Sequence, residues 1–276
     1  MQTEFSQVTH NFSTQSIHLD GVINARELGG YRMKDGRTVR HGLLLRGGAL
    51  DKATDQDISR LEKEFDVKYI FDFRSGIETS YAADRQVPGS TYLHLPAIDP
   101  ETGRKTAEIY EDLPRLTIEE VVLKGAKTQK MQEYAHSIYD SMVTNEYTQL
   151  QYATFLQKIT ELEDGAVYWH CSQGKDRTGL GAALLLAALG ADRKTIIDDF
   201  AISAEYYEKS VNSLLGQVDT DIEKDVIRTM IGVNVDYFKS SLDLIDRQYG
   251  SMDNYLTSML VISQGDMDRL RGRLLE

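Results

Sequence analysis

The sequence predicts an α/β fold, a central and mainly parallel sheet flanked by helices with a helical C-terminal part. Three observations carry that prediction. Up to about residue 190, short apolar runs alternate with stretches of helical period, whereas beyond Gly190 every periodic stretch is helical. The run Ala166 to His170 passes through a glycine-containing loop into the apolar stretch 178–189, a strand–loop–helix order. With 276 residues and 41% hydrophobic content, the chain can bury one large core, so residues 1–276 read as a single domain.

Taken in order, Asp35-Gly36 between Tyr31-Arg32-Met33 and Thr38-Val39-Arg40 reads as a hairpin turn. Leu43-Leu44-Leu45 is a short buried strand ending at Arg46-Gly47-Gly48. Thr54 starts a helix, with Asp57 in a capping-box position and Ile58, Leu61 and Phe65 as its apolar face. Val67 to Phe73 is the strongest strand pattern, ended by Arg74-Ser75-Gly76, and Ser90 to Leu95 is a further strand. Residues 100–128 are expected to be irregular apart from a short helix near 117–124. Residues 129–162 are helical by period, with one stripe through Met131, Tyr134, Ile138 and Met142 and another through Tyr152, Phe155, Ile159 and Leu162. Helices follow at 193–213, 221–231, 235–248, 252–261 and 264–275.

The net charge of −12 argues against nucleic acid or an anionic membrane as a bulk partner. The longest apolar stretch, Leu180 to Leu189, is about half of the ~20 residues of a bilayer span, so no stable membrane insertion is expected. The N-terminal residues show neither a basic region nor an apolar run of a signal peptide, and the lone cysteine suits a reducing compartment; a cytoplasmic location is expected.

Residues 170–179 read His-Cys-Ser-Gln-Gly-Lys-Asp-Arg-Thr-Gly and hold the single cysteine. Cys171 followed six residues later by Arg177 is the layout of a phosphate-binding thiolate loop. The amides of Ser172, Gln173, Gly174, Lys175, Asp176 and Arg177 can ring an anion, and the guanidinium can close the ring. A helix N-terminus and nearby cations favour the thiolate. Attack on a phosphate ester then gives a cysteinyl-phosphate that water hydrolyses. Gly174 and Gly179 let the backbone curl, Thr178 can donate to the sulfur, and His170 is expected to order the loop. Gly174-Lys175 lacks the earlier glycine of a nucleotide P-loop, and Gly179-Leu180-Gly181 lacks the third glycine of a dinucleotide fingerprint. A non-catalytic phosphate-binding module on the same fold remains the competing class, although it would dispense with Cys171 or with an acid.

The decapeptide resembles the loop of the bacterial tyrosine and dual-specificity phosphatases of the mycobacterial PtpB type. Asn24-Ala25-Arg26-Glu27-Leu28-Gly29-Gly30 is similar to that family's N-terminal segment, and Asp72-Phe73-Arg74-Ser75 with Glu78 to its Asp-Leu-Arg-Ser-x-x-Glu. Leu44-Leu45-Arg46-Gly47 stands where the family has Phe-Arg-Ser, with Gly47 a departure. Tyr249-Gly250-Ser251, Tyr255-Leu256 and Leu270-Arg271 are similar to its C-terminal end. The resemblance implies a cysteine-phosphatase fold and a phosphorylated protein or phosphoinositide as substrate. It also implies phosphotyrosine hydrolysis that extends in some members to phosphoserine, phosphothreonine and phosphoinositides, with no metal or other cofactor. It further implies a helical lid, which the amphipathic stretch 205–235 could supply.

Three aspartates compete to protonate the leaving group. Asp176 lies in the loop and is the acid that the resemblance implies. Asp72 ends a strand that should face the same crevice, and Asp99 lies on the segment after Leu95-Pro96. Each has a bland alternative: Asp176 neutralising Lys175, Asp72 pairing with Arg74 or Arg46, and Asp99 in a turn. Lys175 could bind a second phosphate or an acidic peptide, or be a solvated loop lysine.

Overall fold

The computed structural model describes residues 15–109 and 117–276. Five strands form one sheet, β1 (Arg26–Glu27), β2 (Leu44–Gly47), β3 (Val67–Asp72), β4 (Thr91–His94) and β5 (Ala166–His170), in the order β1-β2-β5-β3-β4. Only β1 is antiparallel to its neighbour. The central strand β5 aligns His170 with Gly47 of β2 and with Asp72 of β3. Three strands therefore end at one level, and the residues that follow them converge on one crevice.

Alternation along β5 explains why both faces of the sheet are covered. Val167 and Trp169 join the larger core with Leu44, Phe71 and Phe73, whereas Ala166 and Tyr168 join a second core with Leu45, Ile70 and Leu61. The second core is closed by α1 (Asp55–Lys63), where Thr54 and Asp57 make the expected capping box. The larger core is built around α7 (Asp176–Leu189), which is apolar on every side and buried throughout from Thr178 onward. Packed around it are α6 (Glu146–Glu161), α8 (Arg193–Leu215) and α11 (Gln264–Leu274).

The remaining elements are α2 (Gly76–Tyr81), α3 (Pro100–Ile109), α4 (Ile118–Gly125), α5 (Gln129–Thr144), α9 (Asp221–Met230) and α10 (Val235–Tyr249). After α10, Met252–Asn254 runs into the π-helical turn Tyr255–Met259. Several expectations need correction. Residues 100–109 are helical, because the buried Asp99 carboxylate accepts from the amides of Glu101 (3.0 Å) and Thr102 (3.1 Å) and caps the turn. The stretch 129–162 is two helices, since Asn145 adopts an extended backbone and caps α6 by accepting from Tyr147 N. The turn at Asp35-Gly36 closes through Met33 N to Arg37 O (2.8 Å) but supports only an isolated bridge, Arg32 to Thr38.

Among the described residues no helix is long and apolar enough to cross a membrane. The expected lid segment 205–235 contributes to a small separate core. There Leu214, Val218, Val226, Ile227 and Met230 pack with Val122, Met131 and Tyr134 of α4 and α5.

Candidate active site

Cys171 follows β5 directly and is buried, 2% exposed. The loop between it and α7 is held from outside by its carbonyls. Gln173 O accepts from Tyr207 Oη (2.5 Å) and Asn24 Nδ2 (3.4 Å), and Gly174 O accepts from Asn24 Nδ2 (2.8 Å) and Arg46 Nη2 (2.9 Å). Ser172 O accepts from Ala49 N at 3.4 Å. In a trans peptide the N–H points opposite to the C=O, so carbonyls tied outward leave the amides of Gln173, Gly174 and Lys175 facing inward. Gly174 has φ +66, and a β-carbon there would lie 2.2 Å from Gly47 C. The departure at Gly47 follows from the Tyr168 side chain, whose Oη a β-carbon at residue 47 would strike at 2.4 Å.

The outer clamp rests on buried charge. Asp199 on α8 takes Arg46 Nη1 at 2.5 Å and Arg26 Nε at 3.4 Å, and Arg26 also bonds Asn24 Oδ1. Burial works against the charge of Asp199, but the two guanidiniums outweigh it and hold the carboxyl below its ordinary range. Burial and the neighbouring Arg26 pull Arg46 down to about 10.

Arg177, in the first turn of α7, makes a two-pronged pair with Glu78 of α2, Nη1 to Oε2 and Nη2 to Oε1 both at 2.7 Å. Ser172 Oγ donates to the same Glu78 Oε1 at 2.5 Å. Burial opposes the charge on both partners. The pairing prevails, holding Glu78 at about 2 and Arg177 above its ordinary value. A cavity of about 540 Å³ opens over this group, lined by Cys171, Ser172, Gln173, Asp176, Arg177 and Glu78. Ile77, Tyr81, Ile98, Tyr134 and Ile138 form its apolar walls.

A buried cysteine and a bidentate arginine on one loop make the comparisons with known proteins decisive. The chain matches the tyrosine phosphatase family over residues 17–276. The chain belongs to this family. A protein of Cupriavidus necator named as a tyrosine-protein phosphatase is 29% identical over 95% of this chain and 90% of its own length. The triple specificity protein phosphatase PtpB of Mycobacterium tuberculosis is 28% identical over 86% of this chain and 92% of its own. A tyrosine-protein phosphatase of Nostoc commune is 29% identical over 58% of each chain.

In this phosphatase Asp176 lines the cavity and accepts from Tyr139 Oη. The other two aspartates do not line it. Asp72 is buried beneath the loop, where its Oδ2 takes Arg74 Nη2 at 2.7 Å and Tyr92 Oη at 2.6 Å. Burial would raise its pKa, but His170 and Arg74 prevail and hold it at about 2, where it has no proton to give. Asp99 is the cap of α3. Asp72 is therefore an ion-pair residue, as is Arg74, which also meets Asp84 at 2.9 Å.

Lys175 departs from its substrate-facing expectation. Its side chain is buried, and Nζ donates to the carbonyls of Thr229 (3.1 Å), Met230 (2.8 Å) and Gly232 (2.6 Å) at the end of α9. Burial lowers its pKa, with Asp176 at 3.8 Å acting the other way. His170 Nδ1 lies 3.3 Å from Cys171 O and Nε2 3.0 Å from Asp84 Oδ2, a position beneath the loop. Thr178 Oγ1 is buried without a partner among the described residues, so the expected bond to the sulfur is not formed. Gly179 serves packing, because a β-carbon there would meet the Phe200 ring at 2.6 Å. Asp72, Asp84 and His170 have metal-ligand chemistry and close spacing, but the Arg74 guanidinium already supplies positive charge between the two carboxylates.

Sequence reasoning missed Tyr139, Asp84, Asp199 and Tyr207, and it noted Glu78 only through the resemblance. Ser75 and Glu78 do form a capping box, which fixes the start of α2 and aims Glu78 at the loop. That spacing was a usable signal.

Proposed function

We propose that the protein hydrolyses phosphotyrosine through a cysteinyl-phosphate. The observation that carries this reading is that Cys171, Asp176 and Arg177 line one cavity with apolar and aromatic walls. The Cys171 thiolate attacks phosphorus, and the bond from phosphorus to the aryl oxygen breaks. Asp176 gives its proton to that oxygen. The loop amides and the N–H groups of Arg177 not used by Glu78 take up the charge on the phosphoryl oxygens. In the second step water attacks phosphorus and gives a proton back to Asp176. The sulfur–phosphorus bond breaks, returning the thiolate and releasing phosphate.

The cavity favours an aryl phosphate over a phosphoinositide. Ile77, Tyr81, Tyr134 and Ile138 suit a phenyl ring, whereas Asp51 and Glu119 repel a polyanion. Lys175, the cation that a second phosphate would need, is committed to three carbonyls. Of the other lining cations, Arg74 is neutralised by Asp72 and Asp84, and Lys52 sits beside Asp51. The helices of the small separate core, α4, α9 and the ends of α5 and α8, act in this reading as a cap over the single domain.

Initial rates on p-nitrophenyl phosphate, phosphotyrosine peptides and short-chain phosphoinositides test the proposal. Wild type is expected to prefer the peptides, and Cys171→Ser to fall to background on all substrates. Activity that survives the substitution overturns the mechanism; a preference for phosphoinositides overturns the substrate assignment.

A further inference from the structure

The proton delivered to the leaving group has to sit on a particular oxygen of Asp176, and a residue outside the loop selects it. Tyr139 on α5 is 2% exposed, and its hydroxyl donates to Asp176 Oδ1. The ring is fixed by edge contacts with Tyr237 of α10 (6.0 Å, 66°) and Phe200 of α8 (6.4 Å, 76°), so the hydroxyl is held by the core rather than by the loop. Asp176 Oδ2 lies 3.8 Å from Lys175 Nζ, beyond hydrogen-bond distance.

We infer that Tyr139 is the positioning residue for the leaving-group proton: by occupying Oδ1 it directs the proton of Asp176 to Oδ2. This rests on the reading of Asp176 as the acid. A neutral carboxyl carries one proton and accepts best through its other oxygen. The terminal torsion of an aspartate is broad and close to two-fold, so without the hydroxyl the carboxyl turns and its proton is presented in more than one direction. Tyr139 remains a donor throughout, because burial, and then Asp176, push its own ionisation well above the ordinary range. In the second step the same bond keeps Oδ2 as the oxygen that accepts the proton from water. Orientation of this kind acts on the chemical step rather than on binding.

The test is the dependence of kcat on leaving-group pKa across a series of substituted aryl phosphates, measured under conditions where phosphorylation of Cys171 limits turnover. A good leaving group needs little protonation, whereas phenol needs it fully. Tyr139→Phe keeps the ring contacts and removes only the hydroxyl. Its loss is expected to grow along the series, reaching about tenfold or more on phenyl phosphate, a share of the typical general-acid contribution. KM should change little. Asp176→Asn, measured beside it, should steepen the dependence further, and the double variant should add nothing to Asp176→Asn.

If Asp176→Asn steepens the dependence and Tyr139→Phe lowers all substrates equally, the positioning role is overturned while the acid stands. If Asp176→Asn leaves the dependence unchanged, the acid assignment fails and the role of Tyr139 with it. Should Tyr139→Phe not fold, Tyr237→Leu with Phe200→Leu, which remove both ring edge contacts while keeping the Tyr139 hydroxyl, provide the second reading. They are expected to steepen the dependence less than Asp176→Asn, and an unchanged dependence overturns the role.

Discussion

In the proposed mechanism Arg177 meets its anion already paired. Glu78 holds the guanidinium on one edge through two bonds of 2.7 Å, so the group stays in one orientation and offers its remaining N–H groups to the phosphoryl oxygens. Glu78→Gln removes the charge that steadies Arg177 and leaves an amide NH2 facing it. The expected result is weaker binding of inorganic phosphate or vanadate by about tenfold, with a matching rise in KM for aryl phosphates, read by competition assays. Equal affinity in the variant would assign Arg177 its orientation from the loop and from the bond that Nη1 donates to Phe73 O (3.3 Å). The loop residues that line the cavity, and to which the proposed mechanism gives roles, were legible because they lie within one decapeptide, where spacing maps onto geometry. Glu78 lies 99 residues from Arg177, and Tyr139 lies 37 from Asp176. The capping-box spacing of Ser75 and Glu78 marks where α2 starts, but no local pattern names the distant partner in either pair. For Asp72 the alternative stated from the sequence, a pair with Arg74 two residues along the chain, is the one that forms.

At the scale of elements, the loop is sealed to its surroundings by backbone contact on one side and by Lys175 on the other. Gly174→Ala forces a β-carbon into the backbone of Gly47 at a positive φ. It should cost about 1–3 kcal/mol of stability and depress phosphatase activity more than thermal melting alone explains. Lys175 reaches the end of α9, where the last carbonyls of a helix lack intrahelical donors and attract positive charge. Lys175→Met should therefore speed hydrogen exchange in residues 221–235 while leaving the sheet protected, with a loss of about 1–3 kcal/mol for the carbonyls left unpaired. Unchanged exchange in that segment would show that apolar packing alone holds the cap. The elements themselves were largely readable. The strands at 67–73 and 166–170 and the five C-terminal helical stretches follow from period and caps. The helix at Pro100–Ile109 was not, since Gly103 and Pro100 mark a break by composition while the Asp99 cap outweighs them locally.

Over the whole molecule, acid sensitivity should track the carboxylates that hold arginines beneath and beside the loop. Asp72 and Glu78 are each held at about 2, and Asp199 is also lowered. A carboxyl whose folded pKa lies below its unfolded one contributes stability that is complete above the unfolded value and lost as pH falls through the folded one. Melting temperature should thus be level from neutral pH to about 5 and fall steeply between about 4 and 2. A Glu78→Gln, Asp72→Asn pair should flatten that fall, and a wild-type profile in the pair would place the acid sensitivity elsewhere. The fold class could be inferred from alternation of strands and helices, and β5 read as a strand from its apolar run, but not its central place in the order. Nor could the short antiparallel β1, only Arg26–Glu27, because two adjacent charged residues carry no apolar period.

The outward tethering of the loop carbonyls by Asn24, Arg46 and Tyr207 has a consequence for life in solution. If the loop is the anion seat of the proposed mechanism, that seat is finished when the chain folds, so its ordering entropy is not charged to each arriving ligand. Free orthophosphate, the leaving product, can then occupy the seat that the next substrate needs and, by mass action, raise the melting temperature of the protein that made it. Product inhibition and product stabilisation become two readings of one equilibrium.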